Sequence, residues 1–305
     1  MTATGALASS AGFATGLESE RNNTGLFKAT NLVAWCIVPF DAKKRGPEER
    51  ARMLTRLGFT QLAYDWREEH IKTFDAELEA LRTHGIKLTA FWFPGALNDE
   101  ARIILDLLQR HGIRTQLWVT LGDPAPATPD PAAKVDAAVK TIRPIAEAAA
   151  KIGCQVALYN HGEWFGEPEN EIAILQRLKM NHVGMVYNLH HGHAHLDRFP
   201  ELLAKIKPYL LAINLNGMVK NGDRTGRKIL PLGQGDLDLT LIKAILASGW
   251  QGPIGILNHT DEDAEARLKD NLEGLQWLVA QVEGKPAGAR PKPSSWSPPA
   301  SPTGP

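Results

Sequence analysis

Residues 60–94 read TQLAYDWREEHIKTFDAELEALRTHGIKLTAFWFP, and their order of patterns decides the fold. An aromatic and apolar run, TQLAYDW (60–66), gives way to a stretch whose apolar residues fall three and four apart. That stretch stops at Gly85, and a second run follows, IKLTAFWFP (86–94). The runs predict strands and the three-and-four spacing predicts a helix. A glycine just past a helix is the usual left-handed stop. The unit is strand, helix, strand, and it recurs in both directions. Upstream, LVAWCIVPF (32–40) precedes a helix at about 47–57 that opens on Pro47, a favoured first helical position. Downstream, a helix ends at Gly112, and RTQLWVTLG (114–122) leads through a proline-rich loop to an alanine-rich helix closed by Gly153. Four further strands are CQVALYN (154–160), VGMVYNL (183–189), LLAINLN (210–216) and GPIGILN (252–258). Their helices are placed at about 168–179, about 198–207, up to Gly249, and about 261–282.

Strands this apolar, alternating with helices, imply a parallel sheet covered on both faces. Eight units in about 250 residues predict an α/β fold, a single (β/α)8 TIM barrel, rather than an open doubly wound sheet. No Gly-x-Gly-x-x-Gly fingerprint follows the first strand and no Walker motif occurs, which speaks against the open-sheet alternatives. The barrel is expected over 31–284. It lies between a weakly ordered leader at 1–30 and a disordered proline- and serine-rich tail at 285–305.

The chain has 305 residues, 43 % hydrophobic and 22 % charged, the usage of an ordinary globular protein. Its 34 basic and 34 acidic side chains give zero net charge, which argues against a nucleic-acid partner or an anionic membrane surface. No apolar run approaches the roughly 20 residues of a membrane span. Cys36 and Cys154 stand far apart, so neither a disulfide framework nor a cysteine zinc cluster is available. The small, polar start lacks a secretory signal pattern, so the expected location is cytoplasmic, with the periplasm left open. Oligomeric state is not legible.

In such a barrel the chemistry sits at the C-terminal ends of the strands. Six of the ten histidines fall there: His161, His190, His191, His193, His195 and His259. So do Trp35, Trp66, Trp92, Trp118 and Trp164, with Asp65, Tyr159, Asn160, Glu163, Asn188, Asn214, Asn216 and Asn258. Rings set among amides and imidazoles suit a small neutral carbohydrate, with ring faces against C–H and amides against hydroxyls. The plainer account of any one tryptophan is barrel core. For the histidine run 190–195, metal binding, acid–base chemistry and loop-shaping hydrogen bonds all stay open.

Five segments in order carry a resemblance: YNHGEWFGEPEN (159–170), NLHH (188–191), AINLNG (212–217), PLGQGDLDL (231–239) and GPIGILNHT (252–260). With them the chain, over about 32–282, resembles the sugar isomerase/epimerase superfamily, the xylose-isomerase-like barrels. The loop Pro231–Asp238 is the most specific match. The resemblance implies a divalent metal such as Mn, Co, Zn or Mg, held by Glu, Asp, His and Glu on strands 5 to 8. Here the matching positions read Tyr159 or Asn160, Asn188, Asn214 and Asn258, so the expectation is no metal cofactor. Any metal would need a rebuilt site from His161, Glu163, His191, His193 and His195. His191 matches the strand 6 histidine that often touches substrate.

The resemblance implies isomerisation, epimerisation or a related enolate-type elimination on a sugar or sugar derivative. That chemistry requires a base beside a carbon and an electrophile at the neighbouring oxygen. His161 and His191 are the candidate electrophiles, and Asp65 and Glu163 the candidate bases. The remaining tryptophans and amides, with Tyr159, His190 and His259, are candidate substrate contacts. A non-catalytic carbohydrate-binding barrel is the alternative.

Overall fold

The structure, a computed structural model, describes residues 24–296. Among them eight parallel strands close in sequence order into one barrel, with β1 pairing β8 from Leu32↔Ile254 to Trp35↔Leu257. The strands are β1 (Leu32–Trp35), β2 (Gln61–Tyr64), β3 (Lys87–Phe93), β4 (Gln116–Val119), β5 (Gln155–Tyr159), β6 (Val183–Asn188), β7 (Leu210–Leu215) and β8 (Ile254–Leu257). Each is followed by its helix: α1 (Pro47–Arg56), α2 (Phe74–Thr83), α3 (Asp99–Arg110), α4 (Pro131–Lys151), α5 (Pro168–Leu178), α6 (Phe199–Ile206), α7 (Asp238–Ala247) and α8 (Ala264–Val282). Every strand and helix expected from the sequence is present. The strands end one to five residues early, because the last residues of each run turn outward as loop. Gly85, Gly112 and Gly153 take positive φ behind α2, α3 and α4, as their stop role requires.

Two apolar clusters follow from the pleat. One lies between sheet and helices. The other fills the barrel, where Trp35, Trp118 and Tyr159 face small residues at Ala63, Ala90, Ala157 and Ala212. No helix among the described residues is long and apolar enough to cross a membrane.

The two ends differ from expectation where they are described. Residues 24–31, assigned to a weak leader, form two short 3-10 turns that bury Leu26 and Phe27 under the barrel. Positions 1–23 and 297–305 lie outside the described residues. Residues 285–296, assigned to a disordered tail, fold back over α8. Asp270 accepts hydrogen bonds from the Ser294 and Ser295 backbone N–H groups at 2.9 and 2.8 Å. The Gln234 amide donates to the Pro291 carbonyl at 2.8 Å. Composition favoured disorder, but a buried carboxylate acceptor holds this segment.

The Pro231–Asp238 loop is built around one side chain. Asp238 is 2 % exposed, and its carboxylate accepts from the N–H groups of Met218 (2.6 Å), Gly233 (2.7 Å) and Gly235 (3.0 Å). It pins the loop after β7 to the start of α7. Replacing it by alanine strands three buried donors, each costing about 1–3 kcal/mol. We expect Asp238→Ala to lower the unfolding free energy in urea by about 3 kcal/mol or more. Asp238→Asn, which keeps acceptor oxygen, should lose clearly less.

Candidate functional site

At the C-terminal mouth of the barrel lies a cleft of about 160 Å³, floored by the interior aromatic layer. Trp35 from β1 meets Trp118 edge-on at 4.7 Å between centroids, and Trp92 from β3 stands perpendicular to Tyr159 at 5.1 Å. The Tyr159 hydroxyl accepts from Trp35 Nε1 at 3.2 Å and from the Asn188 side chain. Burial pushes the phenol well above its ordinary range, so it stays neutral. Asn160 and Asn188 hold each other: Asn160 Oδ1 accepts from Asn188 N at 2.7 Å, and Asn160 Nδ2 donates to the Asn188 carbonyl at 3.1 Å. They fasten the ends of β5 and β6.

Above this floor sit four imidazoles. His161 and His191 have centroids 4.4 Å apart, His190 and His191 3.6 Å, and His190 and His259 5.7 Å. His190 Nδ1 and His191 Nε2 are buried and have no hydrogen-bond partner among the described residues. Burial, then mutual repulsion and Lys228, pulls His191 down to about 2 and His190 well below its usual value. Burial, Arg67 and the neighbouring imidazoles pull His259 to about 4. His161, at the open edge, is lowered too, by desolvation and then Lys228. At neutral pH these four rings are uncharged and offer one donor and one acceptor each.

Asp65, at the end of β2, is 3 % exposed and is the one carboxyl lining the cleft. Burial raises it to about 7. Its Oδ1 accepts from the Val38 N–H at 3.3 Å, and Oδ2 is buried without a partner. The chain reaches Val38 through Cys36, which turns left-handed at φ 57°. A non-glycine residue held there costs of order 1–3 kcal/mol, and such residues gather at functional sites.

The cleft therefore brings together eight of the residues singled out from sequence: Trp35, Asp65, Trp92, Tyr159, His161, His190, His191 and His259. The others are elsewhere. Trp118 is barrel core beneath the cleft. Trp66 packs edge-on against Phe74 at 5.6 Å. Trp164 lies partly buried against the outer core. Glu163 is exposed in a left-handed turn after Gly162, and its Oε2 accepts from the Asp123 N–H at 3.1 Å. Asn216 is spent on the Gly217 and Lys228 carbonyls. Asn214 and Asn258 are fully buried, with both amide atoms unpartnered, but neither lines the cleft. Sequence reading missed Cys36 and Phe40, which sit in the strand 1 run at its outward end. Arg67, two residues after Asp65, is a further lining residue that the sequence patterns do not single out. It makes no ion pair with Asp65; its Nη1 donates to the Trp66 carbonyl at 2.7 Å.

The metal implied by the resemblance does not fit these residues. The four ligand positions present a neutral phenol and amides. The Asn160 amide is spent on the Asn188 backbone and the Asn188 amide on the Tyr159 hydroxyl and the His190 N–H, and none offsets a cation's charge. The alternative set is dispersed. His193 Nε2 bonds the Lys228 carbonyl at 2.9 Å, and His195 lies between the Tyr187 hydroxyl (3.0 Å) and Glu167 (3.1 Å). Glu163 points to Asp123. Among the described residues no group of three or more His, Cys, Asp or Glu side chains is placed to hold a metal ion.

Comparison with solved structures returns the same barrel at low identity. A 3-keto-D-glucoside 4-epimerase, YcjR from E. coli, is similar at TM-score 0.61 and 16 % identity, over 82 % of this chain and 98 % of that one. A probable 3-DHS dehydratase, AsbF from Bacillus anthracis, is similar at TM-score 0.62 and 12 % identity, over 80 % and 98 %. The IOLI protein with a bound zinc atom is similar at 0.61 and 16 %, over 83 % and 99 %. Comparison with curated proteins gives no match. The sequence itself matches a family description over residues 52–281, three-quarters of its length, and the closed barrel agrees with it. The chain belongs to the xylose isomerase-like TIM barrel family.

Proposed function

We propose that this chain is a sugar isomerase- or epimerase-like enzyme that moves a proton beside a carbonyl, or eliminates through the same enolate, using its own side chains. The observation that carries the reading is Asp65: a buried carboxyl raised to about 7, facing a cleft of neutral imidazoles. A base tuned near the working pH is what proton abstraction from carbon requires. Ionised Asp65 takes the proton from the carbon next to the carbonyl, and that C–H electron pair becomes the C=C bond of the enolate. The carbonyl oxygen gains the charge and takes a hydrogen bond from His191, whose buried Nε2 has no partner in the chain. A neutral imidazole is an effective donor to such an oxygen. Protonated Asp65 then returns its proton to the former carbonyl carbon while the hydroxyl proton passes from one enediol oxygen to the other, which completes an isomerisation; an epimerisation instead takes a solvent proton on the opposite face. Trp35 and Trp92 offer ring faces to the C–H side of a sugar. The neighbours named as an epimerase and a dehydratase support the reaction class.

One observation favours a second reading, a carbohydrate-binding barrel without turnover. Two of the four positions that the resemblance gives to a metal, those on β5 and β6, lie in a hydrogen-bonded layer of Tyr159, Asn160 and Asn188. Solvent deuterium exchange separates the two. Keto and aldehydo sugars, 3-keto-glucosides included, are incubated in D2O and the C–H beside the carbonyl is followed by NMR. As an enzyme, the chain exchanges it, with a rate that rises with pH through about 7 as Asp65 ionises. Asp65→Asn should lose the exchange, and His191→Ala should slow it about 10²–10⁴-fold. Sugar binding without exchange would establish the second reading.

The same carboxyl has a stability signature. Its pKa is raised from an unfolded value near 3.9, so the folded state holds an extra proton between about 4 and 7. The cost of ionised Asp65 is full above pH 7, shrinks as pH falls, and vanishes below about 4. Asp65→Asn should therefore raise the melting temperature at pH 8 and raise it less at pH 5, as read by scanning calorimetry.

A further inference from the structure

We infer that the ligand of this cleft carries a carboxylate as well as hydroxyls, and that Arg67 selects it. The inference rests on the reading of the cleft as a sugar site. Arg67 follows β2 and reaches the cleft beside Phe40 and His259, which stack at 3.9 Å between centroids. Its guanidinium lies 5.2 Å from the Phe40 ring centroid, and Nη1 is anchored on the Trp66 carbonyl. That bond uses one of its five N–H donors. Among the described residues Arg67 makes no ion pair, so the rest of its donor edge is free to take both oxygens of a carboxylate. Lys228, on the loop after β7, adds a second cation whose field reaches all four cleft imidazoles.

Negative charge is sparse in the cleft lining, although Glu68 and Glu69 follow Arg67 on the outer surface. Asp65 is the lone carboxyl in the lining, and burial drives it toward its neutral form. Glu163 is engaged with the Asp123 N–H, and Asp261 is exposed beyond His259. A neutral polyol would leave Arg67 without a counter-charge, whereas a sugar acid would pair with it. Its C–H face would then lie over Trp35 and Trp92 and its hydroxyls reach the unpartnered nitrogens of His190 and His191. At about 160 Å³ the cleft is of a size for one sugar unit.

The test is equilibrium binding to the full chain, read by tryptophan fluorescence and calorimetry. D-gluconate and D-glucuronate are compared with their neutral counterparts D-sorbitol and D-glucose, and with inorganic phosphate. The acids should bind about ten- to hundredfold more tightly than the neutral sugars, the range of a charge-assisted hydrogen bond. Arg67→Gln should erase that preference, bringing the acids to the affinity of the neutral sugars, and Arg67→Lys should restore only part of it. Arg67 is exposed, so both variants should melt with the parent. Neutral sugars binding as tightly as the acids would overturn the inference and leave the sugar reading standing. So would a preference that survives Arg67→Gln. Phosphate binding as tightly as the acids would reduce the cleft to an anion site and overturn it too. If no sugar or acid binds, both readings fall.

Discussion

An eight-stranded barrel has an interior only wide enough for side chains to fill it, so whatever occupies that space decides what can stand above it. Here three large rings take most of the volume, those of Trp35, Trp118 and Tyr159. The strands between them contribute alanine at 63, 90, 157 and 212. Asn214 enters the barrel only because Gly255 faces it; a Cβ on that glycine would sit 1.9 Å from the Asn214 Oδ1. The Tyr159 hydroxyl, held by Trp35 and Asn188, then locks the top of this layer. The floor of the cleft is thus aromatic and neutral, in the place where the family resemblance puts a cation.

The electrostatics of the mouth follow from that floor. Close to low-dielectric rings, each ionisable group shifts toward its uncharged form: Asp65 upward, and the three deeper imidazoles downward. Charge survives only at the rim, on Arg67 and Lys228. In the proposed reaction these uncharged groups move protons and take hydrogen bonds, and the charged edge sorts ligands.

The eight-fold repeat was readable because it rests on periodicity and on glycine stops, which are local. The cleft was half readable, because the rule that chemistry gathers at strand ends says nothing about which side of the pleat a residue takes. Asp65 and Trp66 are neighbours in sequence, yet the first lines the cleft and the second packs against Phe74 outside it. Glu163 is two residues from His161, but the left-handed turn at Gly162 and Glu163 sends it to the Asp123 backbone. The histidine run split for the same reason: short 3-10 turns after β6 keep His190 and His191 in the cleft and direct His193 and His195 to neighbouring loops. Arg67 carries no sequence signal of its own, because a charged residue just after a strand is as readily a solvated loop residue. The Pro231–Asp238 loop carried a family likeness, but its physical role is the three N–H groups gathered by Asp238.

The segment behind α8 alters where this protein ends as a physical object. Composition draws the border at Gly284, yet Asp270 lies in the barrel's outer wall and is satisfied by Ser294 and Ser295. A chain cut at the compositional border would leave a buried carboxylate facing water-poor surroundings with its donors removed. The described part of the proline-rich stretch is thus less an appendage than a buttress of the barrel wall. Its prolines cannot donate to a sheet or continue a helix, which leaves the segment extended enough to reach across α8 and deliver two serines to one acid.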